Sequence, residues 1–272
     1  MHKVAKAMRA IITFIICIFC TSAVFTQTYM PRLSTMRSEM RGIWVATVGN
    51  IDWPSAPNQS VGQLKKETDK IIQNVKNWGL NTIFLQVRPS SDAIYKSRIE
   101  PLSPYICSSP DIEAQYGDFD ALSYWIDQCH KNGIELHAWI NPFRVTQSAE
   151  YQVPKNHLKN THPEWLISYG GKLYLDPGIP QARQYVLSVV EDIVDRYDVD
   201  GIHFDDYFYP YPVGKEVFGD SISYKMYNDK GLSVANWRRD NVTTVISDVY
   251  KSIKGKKSWV MFGVSPFGVW RN

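Results

Sequence analysis

The stretch Val199-Asp200-Gly201-Ile202-His203-Phe204-Asp205-Asp206-Tyr207-Phe208-Tyr209-Pro210 runs a short apolar strand straight into two carboxylates ringed by aromatics. Side chains alternate across a strand, so Ile202 and Phe204 share one face while His203 and Asp205 share the other. The first face suits packing beneath helices and the second a polar interior. By the same alternation Asp206 points away from Asp205 unless the strand ends between them. An Asp-Asp doublet can also cap a loop or hold an arginine, and only its surroundings decide between that role and chemistry.

Those surroundings repeat one unit. Pro180 suits the first position of a helix carrying Val186, Leu187, Val190, Ile193, Val194 and Tyr197, which feeds the strand at Gly201. Met40 to Val48 reads as a first strand. Leu64, Ile71, Ile72, Val75 and Trp78 then recur at helical spacing, stop at Gly79 and lead to a strand over Asn81 to Arg88. Asp118 is placed to cap a helix with Leu122, Trp125, Ile126 and Cys129 that ends at Gly133, before a strand over Ile134 to Asn141. Trp237, Val242, Val245, Ile246, Val249 and Ile253 mark a last helix ended by Gly255, and Trp259 to Ser265 a fifth strand. Five strands alternating with four helices predict an α/β fold with a parallel sheet and right-handed crossovers.

Two features select a barrel over an open sheet. No strand is followed by a Gly-x-Gly-x-x-Gly or Walker loop, the usual reason for an open nucleotide-binding sheet. In addition, Phe84, Gln86 and Arg88 share one strand face, as do Glu135, His137, Trp139 and Asn141, then His203 and Asp205, then Gly263 and Ser265. Their alternates are apolar, as expected when helices cover the outside and a polar mouth lies inside. The expectation is a TIM-type (β/α)8 barrel truncated after the fifth strand, since the chain stops at Phe267 to Asn272 just beyond it.

Of the 272 residues, 44% are hydrophobic and 21% charged, which fits one globular core. The net charge of +3 includes a basic leader and leaves no nucleic-acid footprint. Lys3, Lys6 and Arg9, the apolar run Ile11 to Phe19 and the small residues Thr21-Ser22-Ala23 read as a secretory signal peptide over residues 1–26. A linker (27–38) and the barrel domain (39–272) follow. The apolar run is too short for a membrane span, so an exported protein is expected: periplasmic, outer-membrane-associated or extracellular. Cys20 offers a lipid-anchor position, although Phe19 precedes it where a small residue is expected. Cys107 and Cys129 remain as one bridge or two buried thiols.

Four segments, Arg41-Gly42-Ile43-Trp44-Val45, Gln86-Val87-Arg88-Pro89, His137-Ala138-Trp139-Ile140-Asn141-Pro142 and Gly201 to Tyr207, resemble the glycosyl hydrolase-like 10 domain family of bacterial exported proteins. The resemblance runs from about Glu39 to the last residue. It implies a TIM-type barrel acting on a polysaccharide, with at least one member of the family reported to cleave cell-wall glycan lacking its peptides.

Glycosidic hydrolysis usually takes two carboxyl groups, one donating a proton and one attacking the anomeric carbon or activating water. Asp205 is the candidate nucleophile or base; its setting also resembles the fourth-strand Gly-x-x-x-Asp of alpha-amylase-like barrels. No Glu closes the fifth strand, where Ser265-Pro266 stands, so the proton donor stays open among Asp206, Asp176, Asp92 and a residue outside this chain. Asp176 and Asp92 also read as turn or cap residues. Arg88 and Arg144 can hold a sugar hydroxyl, keep Asp205 ionised, or form buried ion pairs. His137 and His203 can bond substrate or Asp205, or be core histidines. Asn141 suits a sugar hydroxyl, and Trp139, Tyr207, Tyr209 and Tyr211 offer flat faces for sugar rings. No cofactor is called for. Two other readings stand: a glycan-binding barrel without turnover, and a metal-dependent deacetylase or hydrolase using His137, His203 and Asp205.

Overall fold

The computed structural model describes residues 39–267. The expected signal peptide and linker, with the lipid-anchor position Cys20, lie outside the described residues. In chain order the first elements are β1 (Gly42–Val45), α1 (Val61–Asn77), β2 (Thr82–Arg88), α2 (Pro110–Gln115), α3 (Ala121–Lys131) and β3 (Glu135–Ile140). An excursion follows with β4 (Arg144–Thr146), α4 (Leu158–Thr161), β5 (Leu166–Tyr169) and β6 (Lys172–Leu175). The chain then resumes with α5 (Pro180–Arg196), β7 (Gly201–Phe204), α6 (Ser221–Tyr227), α7 (Val234–Lys256) and β8 (Met261–Val264). The strands β1-β2-β3-β7-β8 form one sheet in that order, with every pairing parallel.

Helix ends follow local chemistry. Ser60 caps α1 by accepting from the Gln63 amide, and Gly79, at φ +69°, takes the left-handed turn that stops it. Asp120, two residues beyond the expected Asp118, caps α3 by accepting from the Ser123 amide at 3.0 Å. Gly255 does not end the last helix; α7 continues to Lys256.

The outer face of the sheet is the core. Leu85, Val87, Leu136, Ala138, Ile140, Ile202 and Phe204 are fully buried against helix residues that include Leu64, Leu122, Trp125, Val186, Val190 and Val245. Burying each large aliphatic side chain contributes about 1.5–3 kcal/mol. Cys107 and Cys129 are both free, buried thiols.

The alternation breaks once. Between Gln86 and Arg88 the β2–β3 register shifts, so Gln86 lies opposite Trp139 while Arg88 lies opposite Ile140 on the helix-covered side. Arg88 therefore leaves the inner face it shared by parity with Phe84 and Gln86.

The inner face is a wall of rings set on glycines. A Cβ on Gly42 would lie 2.6 Å from the Phe84 ring, one on Gly201 2.5 Å from His137, and one on Gly263 2.5 Å from His203. Each glycine is thus the floor beneath a ring of the neighbouring strand. Gly201→Ala should cost about 1–3 kcal/mol through overpacking; a urea midpoint equal to that of the parent would show that the His137 ring yields freely.

The excursion is a separate three-stranded antiparallel sheet, β4-β6-β5, at the C-terminal end of β3. With the long β7–α7 connection, it builds a second apolar cluster of Tyr169, Tyr174 and Phe218, against which Ile167 and Tyr209 pack.

Candidate active site

Asp205 is the first residue beyond β7, on the inner side and 7% exposed. Its Oδ2 accepts from the Asn141 side-chain amide and from Trp139 Nε1 at 3.3 Å, and its Oδ1 accepts from the Tyr207 backbone amide at 3.1 Å. Burial pushes the carboxyl up to about 6, against the opposing pull of the Tyr207 amide, the Arg144 charge and the Trp139 indole. At neutral pH the ionised form therefore predominates, the form in which a carboxylate can attack or accept a proton.

A relay across four strands fixes this environment. Gln86 Oε1 accepts from the Thr47 and Val48 backbone amides, both at 2.9 Å, which forces the Gln86 amino group toward Asn141 Oδ1 at 2.6 Å. Asn141 then has only its amino group to offer Asp205. Gln86 reads in the sequence as an inward residue and as part of the Gln86-Val87-Arg88-Pro89 segment, but neither signal assigns it to the site; two backbone donors just beyond β1 give it this role.

The ring wall lies beneath. Trp44 stacks on Phe84 at 4.9 Å and meets Trp139 and His203 edge-on at 4.8 and 4.9 Å. Trp44 is 38% exposed and so presents part of its surface inside the sheet. Sequence reasoning missed it as a site residue, although its alternation with Gly42 carried the signal. His203 Nε2 lies 2.8 Å from Ser265 Oγ, and burial, then the neighbouring His137, lowers its pKa to about 4. It is a neutral hydrogen-bonding group.

On the rim, the Arg144 guanidinium lies 4.5 Å over the Tyr207 ring, and Arg144 Nε is buried with no hydrogen-bond partner. Tyr207 meets Tyr211 edge-on at 5.6 Å, and the Tyr211 hydroxyl donates to Asp206. The strand ends at Phe204, so both carboxylates leave from a loop rather than from opposite strand faces.

Three expected site residues are elsewhere. Arg88 is fully buried under the helices: Nε and Nη2 grip Glu100 at 2.7–3.0 Å, and Nη1 reaches the Asn141 and Pro142 carbonyls at 2.5 and 3.2 Å. The register shift put it there, so it ties the end of β2 to that of β3. His137 pairs with Gly201 in register, four residues before Asp205, and is 2% exposed between Phe84 and Glu135. Tyr209 turns into the second apolar cluster, where its hydroxyl accepts from Asn241 Nδ2 at 3.1 Å and Arg238 lies over its ring. Asp176 is a turn residue, accepting from the Gly178 amide and the Ser223 hydroxyl. Among the described residues, no group of three His, Cys, Asp or Glu side chains converges to hold a metal ion, so His137, His203 and Asp205 do not assemble as the ligand set considered above. No described helix is long and apolar enough to cross a membrane.

The model of the Glycosyl hydrolase-like 10 family matches residues 39–272. The chain is 37% identical over 267 residues to Glycosyl hydrolase YngK of Bacillus subtilis, covering 97% of this chain and 52% of that protein. It is 36% identical over 263 residues to Glycosyl hydrolase DigH of Escherichia coli K12, covering 89% and 58%. The chain thus spans little more than half the length of these relatives. Among solved structures, alpha-L-fucosidase isoenzyme 2 from Paenibacillus thiaminolyticus shares the fold, with a TM-score of 0.54 at 17% identity over 83% of this chain and 32% of that one.

Proposed function

The chain belongs to the glycosyl hydrolase-like 10 family, and from that premise we propose that it is the N-terminal part of an exported glycoside hydrolase with Asp205 as nucleophile or base. The carrying observation is the setting of Asp205: a buried carboxylate held by three donors above a wall of aromatic rings. Trp139, Tyr207 and the exposed part of Trp44 supply faces for pyranose rings, and Arg144 and Asn141 supply donors. Asp206, held by Tyr211, is the second carboxyl. The five parallel strands form one side of an eight-stranded barrel, and export rests on the leader over residues 1–26. The substrate is a bacterial polysaccharide, with peptide-free cell-wall glycan the first to test.

The pH dependence of kcat/KM tests the role of Asp205. An essential base must be ionised in the free enzyme, so the ascending limb should have its midpoint near 6. Arg144 helps keep the carboxyl charged, so Arg144→Gln should move that limb to higher pH. A limb in the ordinary carboxylate range, unmoved by Arg144→Gln, would remove Asp205 from the chemistry. Glycan that binds without any release of reducing ends would favour the binding-barrel reading.

A further inference from the structure

Beside the Asp205 site lies a second concavity that the proposed reaction does not use. It encloses about 460 Å3, within the usual range for small-ligand sites. Asp92, Tyr105, Val145, Tyr151, Pro154 and His157 are among its walls. Val145 follows Arg144 in β4, and Tyr105 feels the charges of both Asp92 and Arg144, so the cavity adjoins the rim of the Asp205 site.

Asp92 is a buried carboxyl on its wall. The residue is 6% exposed, and its Oδ1 is buried without a hydrogen-bond partner. Such an atom costs free energy until something donates to it or it is protonated. Burial pushes the carboxyl up to about 7, only partly offset by the nearby Ser103 hydroxyl. At neutral pH the group can thus both donate and accept. His157 is buried, and desolvation followed by the Arg88 and Lys159 charges lowers its pKa to about 4, so it brings no cation. Among the described residues no lysine or arginine lines the cavity, and Glu113 adds a second carboxyl. An anionic ligand would meet two carboxyl groups and no cationic side chain on these walls. A neutral one with hydroxyl or amide groups would find a hydrogen-bonding carboxyl, two tyrosines and apolar walls from Val145 and Pro154.

We propose that this cavity is a sugar-binding subsite, taking one uncharged residue of the glycan with the Asp92 carboxyl as its hydrogen-bonding anchor. The proposal rests on the glycan reading above and extends it to a site away from the reacting bond.

The test is calorimetric binding of a tetrasaccharide from peptide-free cell-wall glycan, in which neutral and carboxylate-bearing sugars alternate, to the full chain carrying Asp205→Asn to prevent turnover. Adding Asp92→Leu, which removes both hydrogen-bonding atoms, should weaken binding about tenfold. Adding Asp92→Asn, which keeps a donor and an acceptor, should change it less than threefold. Tyr151→Ala, at a partly exposed wall residue, should weaken binding at least threefold and gives an independent answer should the leucine variant fold poorly. Tetrasaccharide affinity unchanged by Asp92→Leu and by Tyr151→Ala would overturn the subsite while leaving the glycan reading intact. No binding to the Asp205→Asn parent would sink the glycan reading and this proposal with it.

Discussion

Replacing Asp205 by asparagine should reduce release of reducing ends from peptide-free glycan on the order of 10^3-fold or more, while making the protein more stable at pH 8. The first effect follows from removing the group assigned to attack or to activate water, where single losses of this kind reach the order of 10^4–10^6. The second follows from burial. The folded carboxyl sits at about 6 against an ordinary value of 3.8, so the folded state holds its proton more tightly than the unfolded chain. That costs stability above pH 6, costs progressively less as pH falls from 6 to 4, and nothing below. A difference of about two units corresponds to about 3 kcal/mol. Asparagine also offers one acceptor oxygen fewer to the donors Asn141, Trp139 and Tyr207, so a net gain of about 1–2 kcal/mol is expected at pH 8 and none at pH 4. Urea midpoints at the two pH values check it. A residue kept for folding alone would show the opposite: lost stability and a loss of activity no greater than the loss of folded protein.

Arg88→Met should have the largest effect on folding, about 3–5 kcal/mol, because it strands Glu100 as an unpaired charge whose side chain is fully buried. Six hydrogen bonds would go with it, including those to the Asn141 and Pro142 carbonyls that hold the end of β3. Arg88→Lys should also destabilise, since an ammonium cannot reproduce the two-pronged grip on Glu100. Equilibrium unfolding in urea measures this directly. A wild-type midpoint combined with a raised KM would instead return Arg88 to the sugar site, against its position opposite Ile140.

The difference between Arg88 and Asp205 shows what the sequence carries and what it hides. Strand parity is a local rule, and it located the inner face correctly for Phe84, Gln86, Trp139, Asn141, His203 and Asp205. One register shift reverses parity from that point on, and nothing in Gln86-Val87-Arg88 announces it. The five strands and their four helices were legible because each carries a run of apolar residues at the right period. The small sheet at residues 144–175 was not, since its strands are three or four residues long and take their burial from the antiparallel pairing itself. Tyr209 illustrates the same limit, since aromatics clustered in sequence separate once the loop turns, one toward Arg144 and another toward Asn241. His137 was legible as inward but not as deep, because depth depends on where along the strand the wall of rings ends.

Chemical rescue addresses the central assignment most directly. With Asp205→Gly in the full chain, added azide can enter the space vacated by the carboxylate and attack the anomeric carbon in place of the enzyme group or its activated water. Azide should restore turnover of peptide-free glycan, and the product should carry a glycosyl azide detectable by mass spectrometry. A folded variant that stays inactive in azide and forms no such product, or one that cleaves glycan at the parent rate without azide, would contradict that assignment.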